Sequence, residues 1–131
     1  MKKQINQLPE RWWPSLLIMG VIFLASSTPG KEMPSFGLAD TLIKKGGHMT
    51  GYFLLTLSAL RGIHQSGKKA SALAMALALL YAISDEFHQT FIPGRHPSAF
   101  DVLIDMTGAG LALWAEQAFP WLRKIIGRDN L

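Results

Sequence analysis

The chain has 131 residues, 49% of them apolar and 17% charged, with no cysteine and a formal net charge of +4. That length holds one domain. The charged fraction falls below the quarter usual for soluble domains, and the lack of cysteine excludes disulfides and thiolate metal sites. Nucleic acid would need a basic face interleaved with aromatics; here the lysines and arginines sit in short clusters outside the apolar runs, a pattern of membrane topology.

Met1 to Arg11 is polar and basic, and Trp12 to Gly30 then runs 19 residues without a charge. A cleavable signal peptide could share the basic start, the apolar region and Ala25-Ser26-Ser27. The Trp12-Trp13 pair, suited to the headgroup level, and the later apolar segments favour a retained helix instead. Residues 29–44 hold Pro29, Gly30, Pro34 and Gly37 and read as a connecting loop. Gly46 to Leu60 is the second apolar segment, with Gly47 and Gly51 spaced for close approach by a neighbour. A basic turn, Arg61 to Lys69, leads into the third segment, Ala70 to Ser84. The fourth runs from about Pro97 to Phe119, with Gly108 and Ala112 as another small-residue stripe, and leaves through Pro120, Trp121, Arg123, Lys124 and Arg128.

This pattern predicts an all-α polytopic membrane protein, a single domain with four transmembrane helices at about 12–28, 46–62, 70–91 and 98–119. A soluble four-helix bundle should repeat charges along its outer faces, and residues 46–60 and 70–84 carry none. The amino terminus, the 61–69 turn and the carboxyl terminus hold nine lysines and arginines, against four (Lys31, Lys44, Lys45, Arg95) in the 31–45 loop and the 93–98 turn. The positive-inside rule then puts both termini in the cytoplasm.

With that orientation, nearly every unusual polar residue falls at the extracytoplasmic end. Lys45, His48 and Tyr52 share one helical face: a cation and an imidazole aimed inward, or a snorkelling lysine and a hydrogen-bonded histidine. Asp85, His88 and Gln89 share another, with Glu86 adjacent. Carboxylates at the end of a span are costly unless paired or hydrated, so they read as acid and base, as ligands, or as an ion-pair lock. Arg95, after Pro93-Gly94, suits a phosphate or a carboxylate, either from a ligand or from Asp101 or Glu86. Ser98 and Asp101 match a capping box. Asp105 lies one turn deeper, beyond any cap, and needs a cation, a metal or water. Oxygen and nitrogen donors suffice for a divalent metal, though no spacing matches HExxH or another metal signature. No phosphate-cradling glycine loop or GxSxG elbow is present either.

Lys45-x-x-His48-x-x-x-Tyr52, Asp85-Glu86-x-x-Gln89, Pro93-Gly94-Arg95-x-x-Ser98-x-x-Asp101, and then Asp105 and Gly108 resemble, in that order, the VanZ-like membrane proteins over roughly residues 20 to 115. At Asp105 the chain departs from the asparagine common in that family. The resemblance implies a small polytopic bacterial membrane protein of a family named for members that lower susceptibility to teicoplanin-type glycopeptides. It carries no reaction. Two readings follow. In the first, an outward pocket binds a lipid-linked or phosphorylated envelope component, with Glu86, Asp85, His48 and Asp105 as acid, base or ligand candidates and Lys45, Arg95, Gln89, Asp101, Tyr52, Ser98 and His88 lining it. In the second, the same charges form a locked network in a non-enzymatic module that recruits partners.

Overall fold

The computed structural model describes residues 7–29 and 37–131, so Lys2, Lys3, Lys31 and Pro34, used in the reading above, lie outside the described residues. The described residues form helices and no strand: α1 (Leu8–Ser27), α2 (Leu38–Ile63), α3 (Gly67–Gln89), α4 (Ala99–Ala118) and a short α5 (Pro120–Ile125). The central helix is α2, which packs against α1, α3 and α4, while α4 also packs against α3.

The largest departure from the sequence reading is the start of α2. Residues 38–45 are helix, where a loop was expected, so Gly46 and Gly47 lie inside α2. Gly37, at φ 67°, turns the chain into the helix, a conformation that glycine adopts without steric cost. Asp40 then stands in the first turn and accepts from Lys44 Nζ at 2.6 Å, an i,i+4 pair that supports the extra turns. The helix ends at His64, whose left-handed backbone (φ 48°) closes an N–H bond to the Leu60 carbonyl. At the start of α4, Ser98 Oγ accepts from the Asp101 N–H at 3.3 Å, the capping arrangement that the spacing implied.

Among the described residues one helix, α3, is long and apolar enough to cross a membrane by length and composition. The apolar run of α1 is diluted by Glu10, Arg11, two tryptophans and two prolines within the helix itself. Similar dilution comes from Asp40, Lys44, Lys45 and His48 in α2 and from Asp101, Asp105 and Glu116 in α4.

Small residues occupy the contacts between helices. Ala70, Ala74, Ala78 and Ala82 recur every four residues along α3, all fully buried, while Leu80 and Phe87 on the same helix are 69% and 66% exposed. Tyr52, Leu55, Ala78, Ala82 and Ala109 meet with Ile22 in one core; Leu57, Leu60, Ala74 and Ala112 meet with Ile126 in another. The closest approach is between α4 and α2. A Cβ at Gly108 would collide with the backbone carbonyl of Met49. Of the two glycines read as a contact face, Gly51 meets Ile22, whereas Gly47 has nothing within 4 Å among the described residues. The Trp12 ring lies over Gly62, while Trp13 is exposed.

Away from the N-terminus of α4, a buried ion pair ties the carboxyl-terminal segment to the bundle. Glu116 Oε1 accepts from Arg128 Nε at 3.2 Å, and Arg128 Nη1 donates to the Leu60 carbonyl at 3.0 Å. Arg123 Nε lies 3.5 Å from the same carboxylate. Read from sequence as one more basic exit residue, Arg128 is 3% exposed.

Gly108→Ala should lower the thermal midpoint of the detergent-solubilised protein, costing about 1–3 kcal/mol through overpacking, while Gly110→Ala, with open space around it, should leave it level or slightly raised. Glu116→Ala strands the Arg128 guanidinium and should cost about 3–5 kcal/mol, with part of the loss recovered when Arg128→Leu is added.

Candidate functional site

Because the four long helices alternate in direction, the end of α1, the start of α2, the end of α3 and the start of α4 meet at one end of the bundle. The face that places polar residues there is inherited from the packing. On α3 the buried alanine row runs on into Asp85, Glu86 and Gln89, each under 10% exposed. On α4 the buried Ala112, Ala109 and Gly108 run back to Asp105, which is fully buried. On α2 the buried Tyr52 leads back to His48 and Lys45, one and two turns nearer the end.

These residues surround a cavity of about 370 Å³, within the range of small-molecule sites. Seven of the eleven residues singled out in the sequence line it: Lys45, His48, Glu86, Gln89, Arg95, Asp101 and Asp105. Thr41, Lys44, His96 and Ile104 complete much of the wall. Thr41 and Lys44 were missed because they fall in residues read as loop; once α2 is extended, Thr41 lies two turns before His48 on the same face.

The wall carries both signs of charge. Lys45 Nζ lies 3.3 Å from Asp101 Oδ1 and 5.2 Å from the centre of the Phe100 ring, and its side chain is 41% exposed. Asp101 Oδ2 accepts from Ser98 Oγ at 3.0 Å. Glu86 Oε2 accepts from the Ser98 N–H at 3.1 Å, tying the end of α3 to the start of α4. At the floor, His48 Nδ1 faces Asp105 Oδ1 at 3.5 Å. That contact is too long for a good hydrogen bond, and neither carboxylate oxygen of Asp105 has a hydrogen-bond partner among the described residues.

Arg95 takes a role that the sequence reading did not weigh. Its Nε donates to the Thr28 carbonyl at 3.0 Å and its Nη2 to the Ala25 carbonyl at 2.7 Å. The guanidinium thus closes the end of α1, whose last carbonyls have no partner within the helix, while still forming part of the cavity wall.

Four of the residues singled out stand off the cavity. Asp85 turns toward α1, where its Oδ2 accepts from Ser26 Oγ at 2.8 Å, and Gln89 Nε2 donates to both. His88 faces away: its ring stacks on Phe23 at 4.5 Å and its Nε2 lies 2.9 Å from Ser27 Oγ. Tyr52 sits in the core with its hydroxyl unpartnered, and Ser98 serves as the helix cap. The signal for Ser26 was in the sequence, since Ser15, Ile22 and Ser26 fall on one face of α1 and all are buried. Among the described residues, no three His, Asp or Glu side chains are grouped to hold a metal ion.

The arrangement can grip an anion at the rim through Lys45 and Lys44 in exchange for their carboxylate partners, accept hydrogen bonds at the floor through Asp105, and present an imidazole that faces that carboxylate. No curated protein and no solved structure matches the chain. The VanZ/LLP1 family model, however, matches residues 11–119, most of the chain and all of the cavity. The chain therefore belongs to the VanZ/LLP1 family.

Proposed function

We propose that the chain is a four-span protein of the bacterial cytoplasmic membrane, with both termini in the cytoplasm. Its cavity opens at the outer face and binds the phosphorylated head of a lipid-linked envelope component. Two features support the membrane placement: the distribution of lysine and arginine among the loops, and an exterior rich in large apolar side chains (Leu16, Leu17, Leu24, Leu80, Phe87) around helix contacts made mostly by small residues, with Ile22, Leu55, Leu57 and Leu60 among the large buried exceptions. A water-soluble bundle buries its leucines; a bundle in lipid brings small residues together and turns the large ones outward.

One observation carries the ligand class. Lys44, Lys45, His48 and His96 line the same cavity as Glu86, Asp101 and an unpartnered Asp105. A simple anion would satisfy the nitrogens and leave Asp105 unsatisfied. A phosphate attached to a hydroxylated group satisfies both, since its oxygens accept from the lysines and its hydroxyls donate to the carboxylates. Glycopeptides act outside the membrane on lipid-linked cell-wall precursors, and occupancy of such a precursor's head group is the route by which this chain would lower susceptibility to the teicoplanin type.

The test titrates the detergent-solubilised protein with glucose 1-phosphate, inorganic phosphate and glucose. Lys45→Ala should weaken both phosphates by about tenfold, the worth of a charge-assisted hydrogen bond. Asp105→Asn should weaken glucose 1-phosphate while sparing inorganic phosphate. Glucose binding as tightly as glucose 1-phosphate would sink the proposal. The topology has its own test. The chain has no cysteine, so a single cysteine at His96 should react with a membrane-impermeant maleimide on intact cells, and one at Ser66 only after permeabilisation.

A further inference from the structure

A second cavity of about 260 Å³ adjoins the first, and its lining is largely apolar: Val21, Ile22 and Ala25 on α1, Ile43, Gly47 and Gly51 on α2. The two cavities share three residues, Lys44, His48 and Arg95, all nitrogen-bearing. One side of the bundle thus presents an apolar groove that ends on a cationic wall, with the polar cavity behind that wall. From Ile43 to Gly51 the groove follows α2 for about 12 Å. Val21 and Ile43 at its edges are 59% and 64% exposed, so it opens sideways, toward the surroundings of the bundle. Its width depends on Gly47. No described atom lies within 4 Å of a Cβ built there, and a larger side chain would project into the groove.

We infer that this groove seats the hydrocarbon chain of the same ligand, a phosphate-bearing lipid with a single chain whose head occupies the polar cavity. This assignment rests on the head-group reading above and extends it to the tail. The shared wall fixes the polarity: a phosphate that takes Lys44 Nζ over from Asp40 and meets Arg95 through Nη1, the nitrogen not engaged by α1, sits at the junction, with the chain on one side and the hydroxylated substituent on the other. One groove beside one head-group cavity selects a single-chain amphiphile over a two-chain glycerophospholipid. Burying methylenes of the chain in the groove adds affinity that a water-soluble head lacks.

Binding of butyl phosphate, dodecyl phosphate and dioleoyl phosphatidylglycerol to the full chain in maltoside micelles tests this. For the wild type, dodecyl phosphate should bind at least about tenfold more tightly than butyl phosphate. Gly47→Leu should abolish that gain and leave butyl phosphate unchanged. Val21→Trp, which narrows the groove from α1 at a site that is already exposed, should reduce the gain independently. A missing chain-length gain, or one that survives both substitutions, overturns the groove assignment and leaves the groove to a protein segment. Equal binding of the two-chain lipid, with equal loss in Gly47→Leu, overturns the single-chain assignment. If the dodecyl gain depends on Gly47 while butyl phosphate fails to bind at all, the groove stands and the head-group reading falls.

Discussion

The backbone contact between Gly108 and Met49 sets the geometry of the polar end. With no side chain at Gly108, α4 lies directly against the Met49 carbonyl of α2. That contact fixes the axial register of the two helices. His48 immediately precedes Met49, and Asp105 is three residues, nearly one turn, before Gly108. Any sliding of α4 along α2 would separate the imidazole from the carboxylate that faces it at 3.5 Å. The packing contact and the dyad are one construction.

The same economy holds on α3. A face of alanines lets that helix approach α2 and α4 closely, and the residues that extend the face past Ala82 are Asp85, Glu86 and Gln89. Because the face is already inward, these polar groups need no local irregularity to reach the interior. Asp85 and Gln89 are then taken up by Ser26 of α1, and Glu86 by the first turn of α4. Each helix end at the cavity is thereby held by a neighbour: α1 by Arg95, α2 by the Lys45–Asp101 pair, α3 and α4 through Glu86 and Ser98. The cavity is the space left among mutually fixed ends, so most of its wall residues are placed by helices, with Gly94, Arg95 and His96 from the turn between α3 and α4.

Sequence periodicity made much of this legible. Four long helices, the small-residue stripe through Gly108 and Ala112, the Ser98 cap and the convergence of His48, Glu86, Asp101 and Asp105 all follow from which residues recur at three and four. The misses have physical causes. Pro34 and Gly37 are strong loop signals, and they masked the i,i+4 pair of Asp40 and Lys44 that lets α2 begin at Leu38. Helical spacing placed Asp85, His88 and Gln89 on one face, and all three do meet α1, at Ser26, Ser27 and Phe23; His88 lies off the cavity because that face looks toward α1. Charge pairs Arg95 with a phosphate or a carboxylate, whereas the carbonyls of Ala25 and Thr28 at the end of α1 take its Nη2 and Nε, a partner that no side-chain pattern announces. Arg128 was hidden for a similar reason, because its partner Glu116 belongs to another helix and the fold alone brings them together.

Two buried polar groupings in one small bundle separate structure from function. The Glu116–Arg128 pair is what a lock looks like: the guanidinium is shared between a carboxylate and the Leu60 carbonyl, and neither of its residues is among those with unsatisfied buried atoms. At the cavity end, both oxygens of Asp105 and one oxygen of Asp85 have no hydrogen-bond partner among the described residues, and the Tyr52 hydroxyl in the core below has none either. Each such group costs about 1–3 kcal/mol when left unsatisfied. A network kept only to hold helices together would complete itself or be replaced by apolar packing, which is often more stable. An incomplete set beside a cavity large enough for a ligand fits the proposed function, in which the missing donors would come from outside the chain. On that proposal a phosphate-bearing, hydroxyl-bearing head would supply them to Asp105, and the cations at the rim would hold its anionic part.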